Sequence, residues 1–397
     1  MNRFLGALLA VVVSAGFVLP TLHVALRPPR AAYVRTEGAA PTMARELAAS
    51  QIAAWDEGQR DVNRGVNPEW DLGHHFFFAM GLANLAIDAA PAERETYRAK
   101  VDAVLVEVLA HPPQHFHLAY FHDGGFSDPQ AGSLFLDGEI LFMLAARLAV
   151  WPDHERDAQL EKLAAGVVRQ MSAGPALMGE SYPNECWMFD NTLGLAALAI
   201  TSHVLGRPVP GAAALTERWL AQAPRFVDPH TGLLVASTTY RGATLDGPEG
   251  SSAFAAAHFL ELVDPALARD QYERAKQQLV VRPFGFAYAH EWPDPGQWGH
   301  DALPPRAGKP DVDSGPIIPF VHAGAGASGM AILGASAFGD EALVAALVTS
   351  LELTAFPERK GGQLHFAAGN GLGDAVLLYA LAQGPLWRTV RAGRRTS

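Results

Sequence analysis

Cysteine is almost absent from this sequence, since one residue, Cys186, occurs among 397. An intramolecular disulfide is therefore excluded, and cysteine usage does not indicate the compartment. Charge is sparse as well. Only 18% of the residues are charged, the formal net charge is −11, and no cluster of Lys and Arg interleaves with aromatic residues. This balance disfavours nucleic acid as a partner.

The common cofactor and metal signatures are also missing. The sequence has no Walker loop, no Gly-x-Ser-x-Gly elbow and no His-Glu-x-x-His motif. The glycines of 324–329 match a dinucleotide fingerprint, but they follow prolines where the motif requires a strand. Pro112 and Pro113 interrupt the closely spaced histidines His111, His115, His117 and His122. We therefore expect neither a cofactor nor a bound metal.

The N-terminal segment is strongly apolar. The 23 residues from Phe4 to Leu26 carry no charge, and arginines lie on both sides of them. This run is longer than a signal-peptide core, and no clean small-x-small cleavage site closes it. Residues 1–26 are therefore predicted to be a membrane anchor in preference to a cleaved signal, residues 27–42 a linker and residues 391–397 a basic tail. We expect the body to be extracytoplasmic (periplasmic) and tethered to the membrane.

The body repeats one layout six times. A loop rich in turn residues brings one or more carboxylates to the start of an apolar helix that is rich in Gly and Ala. Between consecutive copies lies one amphipathic helix with the charge pattern of a wet outer face. The carboxylates precede helices that are predicted over about 72–89, 140–150, 191–205, 251–263, 317–338 and 375–385.

Six helical hairpins that stack side by side predict an all-α (α/α)6 toroid over residues 43–390, with short β-hairpins in its loops. The amphipathic helices would form its outer ring and the apolar helices its inner ring. Hairpins of equal sense make the inner helices parallel, so their starts would meet at one acidic rim. The acids expected at this rim are Asp71, Glu139, Asp190, Glu249, Asp313 and Asp374.

Four segments of the body carry most of its distinctive polar residues. They are SYPNECWMFDN at 181–191, LDGE at 136–139, DVDSGP at 311–316 and NGLGDAVLLY at 370–379. These segments resemble the linalool dehydratase-isomerase family, and the similarity runs in order over most of residues 45–387. The resemblance implies an exported (α/α)6 barrel that acts on a small terpene alcohol by acid/base chemistry in a buried pocket, without metal or cofactor.

Residue by residue, the resemblance places the family's essential aspartate on Asp56 and its assisting tyrosine near Val62. The family's histidine falls on Glu139, and its two cysteines fall on Ser181 and Asp190. Three chemical groups have therefore changed type, although each substitute can still move a proton or bind a hydroxyl. We predict Asp56, Glu139, Asp190 and Ser181 as the catalytic residues, with several carboxyls close together and at least one raised pKa.

Further polar and aromatic residues are predicted to contact a substrate: Tyr182, Glu185, Trp187, Asn191, Glu249, Asp311 and Asp313. Aspartates at helix starts have a simpler interpretation as caps or first-turn acids, because free N–H groups and the helix dipole favour them there. Glu139 and Glu185 escape that interpretation, because Glu is a poor N-cap. Cys186 is predicted to be a small buried residue, since nothing basic adjoins it to form a thiolate.

Three classes of function remain open on this sequence. The first is a cofactor-free lyase or isomerase of a small hydroxylated molecule, terpenoid if the family's substrate is kept. The second is a carbohydrate-active enzyme (glycosidase, epimerase or lyase) with paired carboxylates, in which Tyr182, Trp187, Trp292 and Trp298 stack on sugars. The third is a non-catalytic, membrane-tethered toroid that binds a ligand. The expected partners are a small molecule and the membrane, and homo-oligomerisation stays open.

Overall fold

The chain folds into helices joined by short strands and loops. The computed structural model describes residues 3–36, 38–60, 63–65, 67–111, 113–116, 125–128, 132–294, 317–318 and 320–394. Within these residues the helices are α1 (Arg3–Leu26), α2 (Arg30–Tyr33), α3 (Thr42–Asp56), α4 (Pro68–Ala86), α5 (Pro91–Ala110), α6 (Leu134–Val150), α7 (Asp157–Ala173), α8 (Met188–Val204), α9 (Ala212–Gln222), α10 (Gly250–Leu260), α11 (Pro265–Leu279), α12 (Ala325–Ala337), α13 (Glu341–Thr354), α14 (Gly371–Ala382) and α15 (Pro385–Arg394).

The described strands are short and lie in the connections between helices. One antiparallel sheet has the order β1 (Cys186–Trp187), β2 (Ser237–Thr238) and β3 (Thr244–Asp246). Three further antiparallel pairs are β4 (Val280–Val281) with β5 (Tyr288–Ala289), β6 (Ile317–Ile318) with β7 (Ala323–Gly324), and β8 (Pro357–Lys360) with β9 (Gln363–Phe366). The fold is therefore mostly helical, as the sequence predicted.

Helix starts follow from local sequence. The side chains of Asn67, Ser133 and Asn370 accept backbone hydrogen bonds at the starts of α4, α6 and α14. Pro68 and Pro265 occupy the first helical position of α4 and α11, where no intrahelical partner for an N–H is lost. Asn and Ser are strong caps, so the acids near these helix starts are not needed for capping.

Six apolar helices form a closed cycle of neighbours. Helix α4 contacts α6, α6 contacts α8, α8 contacts α10, α10 contacts α12, α12 contacts α14, and α14 returns to α4. Each is buried over most of its surface, whereas α3, α5, α7, α9 and α11 bury one face each and lie outside the cycle. An inner set of apolar helices is thus surrounded by amphipathic ones.

Hydrogen bonds join the starts of α6, α8 and α10 to the connections that lead to the next inner helices. Leu134 at the start of α6 donates its N–H to the carbonyl of Glu180, which precedes α8. Met188 at the start of α8 donates to the carbonyl of Ala236 at 2.8 Å, in the connection that leads to α10. The N–H of Gly250, which begins α10, meets the carbonyl oxygen of Glu291 at 2.6 Å, in the connection to α12.

The opposite end of the cycle is closed by aromatic side chains and by α15, which contacts α4, α6 and α8. The Trp387 ring stacks on the His258 ring with centroids 4.3 Å apart, and His258 lies 2.7 Å from the Tyr379 hydroxyl. Phe142 and Phe259 pack edge to face nearby. This end is filled, so any cavity between the inner helices opens toward the starts of the helices.

One predicted helix start was wrong. Ile317–Ile318 and Ala323–Gly324 pair as strands β6 and β7, and the helix begins only at Ala325, because Phe320 and His322 have positive φ angles that a helix excludes. The segment 27–42, predicted as a linker, contains α2, whose Tyr33 is buried. Residues 391–394 of the predicted tail continue α15.

Closure of the cycle depends on a close approach between α4 and α14 at Gly81. A Cβ atom at Gly81 would lie 2.5 Å from Cγ of Leu378, whereas one at Gly73 would lie 3.6 Å from Cδ1 of Leu372. Gly81→Ala should therefore lower the free energy of unfolding by about 1–3 kcal/mol through overpacking. Gly73→Ala is the control and should raise it by up to about 1 kcal/mol through helix propensity.

Urea denaturation of both variants measures these changes. In a Leu378→Ala background, Gly81→Ala should cost less stability than it does in the wild type, because the side chain that the new methyl group meets is gone. If Gly81→Ala were as stable as Gly73→Ala, the close contact between α4 and α14 would be wrong.

Candidate active site

Two carboxyl groups meet where α6 lies against α8. Glu139 is in the second turn of α6 and Asp190 in the first turn of α8, and both are buried. The two helices pack against each other along this stretch. A Cβ atom at Gly138 would lie 3.4 Å from Cδ2 of Leu193 and 3.8 Å from the carbonyl oxygen of Asp190, which are ordinary van der Waals distances. The packing of α6 against α8 thus brings the two acids to one buried place.

The 179–187 loop is held against the start of α8 by Asn191. Its side-chain oxygen accepts the N–H of Gly179 at 2.8 Å, and its amide nitrogen donates to the carbonyls of Gly179 and Trp187 at 3.1 and 2.8 Å. Both N–H donors and one acceptor position of this fully buried amide are therefore used by the backbone. Asn191 is therefore placed to hold the loop, and its predicted contact with a substrate stays a prediction.

Ser181 joins this loop to the carboxyl pair. The Trp187 N–H donates to the Ser181 hydroxyl oxygen at 3.2 Å, and the Ser181 carbonyl accepts the hydroxyl of Ser133 at 2.7 Å. The Ser181 side chain also forms a hydrogen bond with the Asp190 carboxyl. The structure thus brings together three of the four predicted catalytic residues: Glu139, Asp190 and Ser181.

Burial separates these acids from ordinary carboxylates. Desolvation raises the pKa of Asp190 to about 7, with the Ser181 hydrogen bond lowering it and the charge of Glu185 raising it. Desolvation and then the charge of Asp190 hold the pKa of Glu139 well above its usual range. Both shifts favour the protonated form, and the acid favoured in this way at Glu139 lies beside a carboxyl whose pKa is about 7.

Glu139 also has a free oxygen. Its Oε2 atom is buried and has no hydrogen-bond partner within the described part of the chain. A buried polar atom without a partner costs free energy, and such atoms are commonly reserved for a ligand. The charged groups that act on this pair, Asp190 on Glu139 and Glu185 on Asp190, are themselves acidic.

The remaining side chains of the 179–187 loop surround the pair. Glu185 accepts the indole N–H of Trp187 at 2.9 Å, and both residues are half-buried. The Tyr182 ring lies 6.1 Å from the Phe135 ring and is nearly buried. Glu185, Trp187 and Tyr182 are therefore placed by the same loop that carries Ser181, which keeps them as candidates for substrate contact.

Asp56 lies elsewhere. It is the last residue of α3, its side chain is 58% exposed, and it forms an ion pair with Lys100 of α5. This exposed, lysine-paired carboxylate does not share the buried site of Glu139 and Asp190. The structure therefore does not bring Asp56 into the site, because the α3–α4 connection leaves it on the outer side.

Other predicted residues have mixed outcomes. Glu249 is half-buried at the start of α10, where its side chain makes no capping hydrogen bond. Asp311, Asp313, Trp298 and Val62 lie outside the described residues. Cys186 is fully buried with its sulfur 4.0 Å from the Met178 carbonyl, and burial raises the pKa of its thiol. Its predicted role as a small buried residue agrees with this environment.

Sequence reasoning missed two acids that hold together the loops near the starts of the inner helices. Glu180 accepts the N–H and hydroxyl of Ser127 at 2.8 and 2.9 Å, which ties the 125–128 segment to the 179–187 loop. Glu291 accepts the N–H and hydroxyl of Ser251 at 3.0 and 2.5 Å, and so caps α10 from a distant connection. Adjacency to Ser181 could have indicated Glu180, whereas no local signal indicates Glu291.

A second acidic group lies farther around the rim, at the start of α14. Asp374 is 2.6 Å from Nδ1 of His365, and desolvation raises its pKa to about 6 against the opposing effect of that histidine. His74 on α4 lies 2.7 Å from the side-chain oxygen of Gln51, whose amide donates to the carbonyl of Gly371. Burial lowers the pKa of His74 to about 3, so this ring is neutral.

A neighbouring cavity of about 320 Å³ opens beside α4 and α5. It is lined by Gly58, Arg60, Asp71, His75, Glu107, His111, His115 and Phe116. The His111 and His115 rings stack with centroids 3.8 Å apart. No group of three or more histidine, cysteine or acidic side chains in the described ranges is arranged to hold a metal ion.

Comparisons with known proteins leave the family open. No protein-family model matches the sequence, and no curated protein matches it. Among solved structures, one similar chain is described as a possible member of the GH105 family from Salmonella enterica serovar Paratyphi A. It is 16% identical with a TM-score of 0.46, and the match covers 79% of this chain and 82% of that one. A likeness this distant does not assign a substrate.

The raised carboxyl pKa values predict a specific dependence of stability on pH. The ordinary pKa values are 3.8 for Asp and 4.5 for Glu, so above them the unfolded chain releases protons that the folded protein keeps. Stability contributed by this difference is full below those values and is lost as the pH rises, toward about 7 for Asp190. Glu139→Gln and Asp190→Asn each remove one titrating group, so the free energy of unfolding of each variant should fall less steeply as the pH rises.

Urea denaturation at several pH values between about 4 and 8 measures this effect. The difference between variant and wild type isolates the pair from Asp374, whose pKa is also raised. Glu358→Gln, at an exposed carboxylate in β8, is the matched control and should leave the wild-type profile unchanged. Parallel profiles for Glu139→Gln and wild type would show that Glu139 ionises normally.

Proposed function

We propose that this protein is an enzyme that uses Glu139 and Asp190 for cofactor-free acid/base chemistry on a small, neutral, hydroxylated molecule, as a dehydratase or isomerase does. One observation carries this proposal: two buried carboxyls adjoin each other, and desolvation raises the pKa of both, that of Asp190 to about 7. General acid and general base are then available in the same site.

The chemistry follows from these protonation states. Glu139 donates its proton to a substrate hydroxyl, the C–O bond breaks and water leaves. Asp190 takes a proton from the neighbouring carbon, and the electrons of that C–H bond form a C=C bond. Glu139 is then ionised and Asp190 protonated, and transfer of that proton back to Glu139 restores the site. Hydration or isomerisation uses the same steps in reverse or in succession.

The acidic surroundings favour a substrate without negative charge. The charges that act on the pair come from acids, and Glu180 and Asp246 add further carboxyls in the connected loops. An anionic substrate would be repelled there and would find no described cation on Glu139 or Asp190 to bind it. A neutral alcohol enters this site at a smaller cost in free energy than an anion does. Its hydroxyl can form a hydrogen bond with the unpaired Oε2 of Glu139.

A carbohydrate-active enzyme is the second candidate, and Trp187 is the observation in its favour. This indole is half-buried on the loop of the carboxyl pair, and its N–H is fixed by Glu185 at 2.9 Å. An indole held in this way can stack on the face of a sugar. Paired carboxylates serve glycoside hydrolysis as well as dehydration, so the substrate decides between the two.

We further propose that the cycle of inner helices with its outer helices is an (α/α)6 toroid, and that the resemblance to the linalool dehydratase-isomerase family reflects this fold. Helix α1 is long and apolar enough to cross a membrane, with Leu9–Leu26 at a mean hydropathy of 2.1. In this proposal it anchors an extracytoplasmic body. The exposure of Asp56 moves the proposed chemistry away from the family's aspartate and onto Glu139 and Asp190.

Substrate screening tests the proposed reaction. Detergent-solubilised full-length protein is incubated with neutral tertiary and allylic alcohols, and separately with neutral and uronic-acid glycosides, and the products are identified by mass spectrometry. We expect an alkene or isomer from an alcohol. Glu139→Gln and Asp190→Asn should each lower the rate about 10²–10⁴-fold, as the loss of a general acid or base does. Asp56→Asn is the matched control and should keep wild-type rates.

The pH profile adds a second readout. Activity requires Asp190 ionised, so kcat/KM should rise through about pH 7 and fall again where Glu139 loses its proton. Cleavage of glycosides with no turnover of alcohols would replace the proposal by its carbohydrate alternative. Binding of an alcohol without turnover by wild type would support a non-catalytic toroid.

A further inference from the structure

Three phenylalanines stand exposed on the rim where the inner helices begin. Phe320 is 98% exposed, Phe356 66% and Phe284 49%. All three have left-handed backbone angles, with φ of 69°, 51° and 53°. A bulky residue rarely adopts this conformation, and glycine would adopt it at less cost. Burial and backbone geometry therefore do not explain phenylalanine at these positions.

These residues belong to one sector of the rim. Phe284 is in the turn between β4 and β5, and Phe320 is in the turn between β6 and β7. The two hairpins are joined where His290 pairs with Ala323 and where its ring meets the carbonyl of Val321 at 3.2 Å.

Phe356 reaches the same sector from α13. The Ser350 hydroxyl near the end of α13 accepts the N–H of Ala287 at 3.0 Å and donates to its carbonyl at 2.6 Å. Phe356 follows directly after α13 ends. Exposed Ile318 and Val321 extend the apolar surface, which we call the rim patch: Phe284, Ile318, Phe320, Val321 and Phe356.

Helix α1 ends at this same sector. The His23 ring meets the Phe286 ring edge to face with centroids 5.4 Å apart, and a Cβ at Gly285 would lie 2.6 Å from Nδ1 of His23. His23 lies three residues before the end of the apolar span Leu9–Leu26. If α1 crosses the membrane, the turn that carries Phe284 must lie at the membrane surface.

We propose that the rim patch inserts into the surface layer of the lipid bilayer, so that the open end of the helix ring faces the membrane. This inference rests on the proposed anchoring by α1. Aromatic residues favour the bilayer interface, and exposed Arg282, two residues before Phe284, suits anionic headgroups. Exposed apolar groups that water opposes are thereby covered. An apolar alcohol dissolved in the bilayer then reaches Glu139 and Asp190 without crossing bulk water.

Nitroxide quenching tests this orientation. Phe284→Cys, Phe320→Cys and Phe356→Cys are made separately in the full chain and labelled with an environment-sensitive fluorophore, since buried Cys186 does not react in the folded protein. Each is reconstituted in nanodiscs of phosphatidylcholine and phosphatidylglycerol that carry a nitroxide at a shallow acyl position. Thr389→Cys, exposed on α15 at the opposite end, is the matched control.

We expect lipid nitroxide to quench the three rim labels several-fold more than the label at Thr389→Cys. Equal quenching at both ends, or stronger quenching at α15, would overturn the inference. Rim labels that are shielded only as protein concentration rises, without quenching by lipid, would identify a second copy as the occupant and would also overturn it. Alkaline carbonate extraction separates the two proposals: an extracted chain refutes the anchor, whereas an anchored chain with unquenched rim labels refutes the orientation alone.

Discussion

Desolvation of one carboxyl pair is the constraint on which the rest of this structure depends. Taking two acids out of water is costly, and the raised pKa of Glu139 lowers that cost because it favours the neutral form. The packing of α6 against α8 buries both acids, and the loop fixed by Asn191 supplies the Ser181 hydrogen bond. Burial of the two acids lowers the stability of the folded protein, and it also gives the site a carboxyl that can donate a proton at neutral pH.

The general architecture could be predicted from the sequence because it follows from periodic burial. Apolar helices with small residues alternate with charged amphipathic ones, and this contrast indicates inner and outer helices wherever it occurs. The hairpin at 317–324 could not be predicted in this way. Its apolar and glycine-rich residues look helical, and only the positive φ angles of Phe320 and His322 show that the helix begins later.

The site was predictable where residue chemistry is unusual for its position. Glu139 stood out because glutamate is a poor cap, and the polar variety of 181–191 indicated Ser181 and Asp190. Asp56 and Asn191 show the limit of such reasoning. The sequence does not show that Asp56 lies on the outer side and pairs with Lys100. Nor does it show that the Asn191 side chain forms hydrogen bonds with the backbone of Gly179. The orientation of a side chain and the group that it contacts depend on the tertiary structure, and the family resemblance predicted neither for these two residues.

The central claim is that Glu139 is protonated at neutral pH, and infrared spectroscopy of the carboxyl groups measures this most directly. Protein labelled with ¹³C at the glutamate side-chain carboxyl should show, at neutral pH, the C=O stretch of a buried protonated acid. That band should vanish in Glu139→Gln and persist in Glu358→Gln. A wild-type spectrum containing only carboxylate bands at neutral pH would contradict the account, because the site would then hold no general acid.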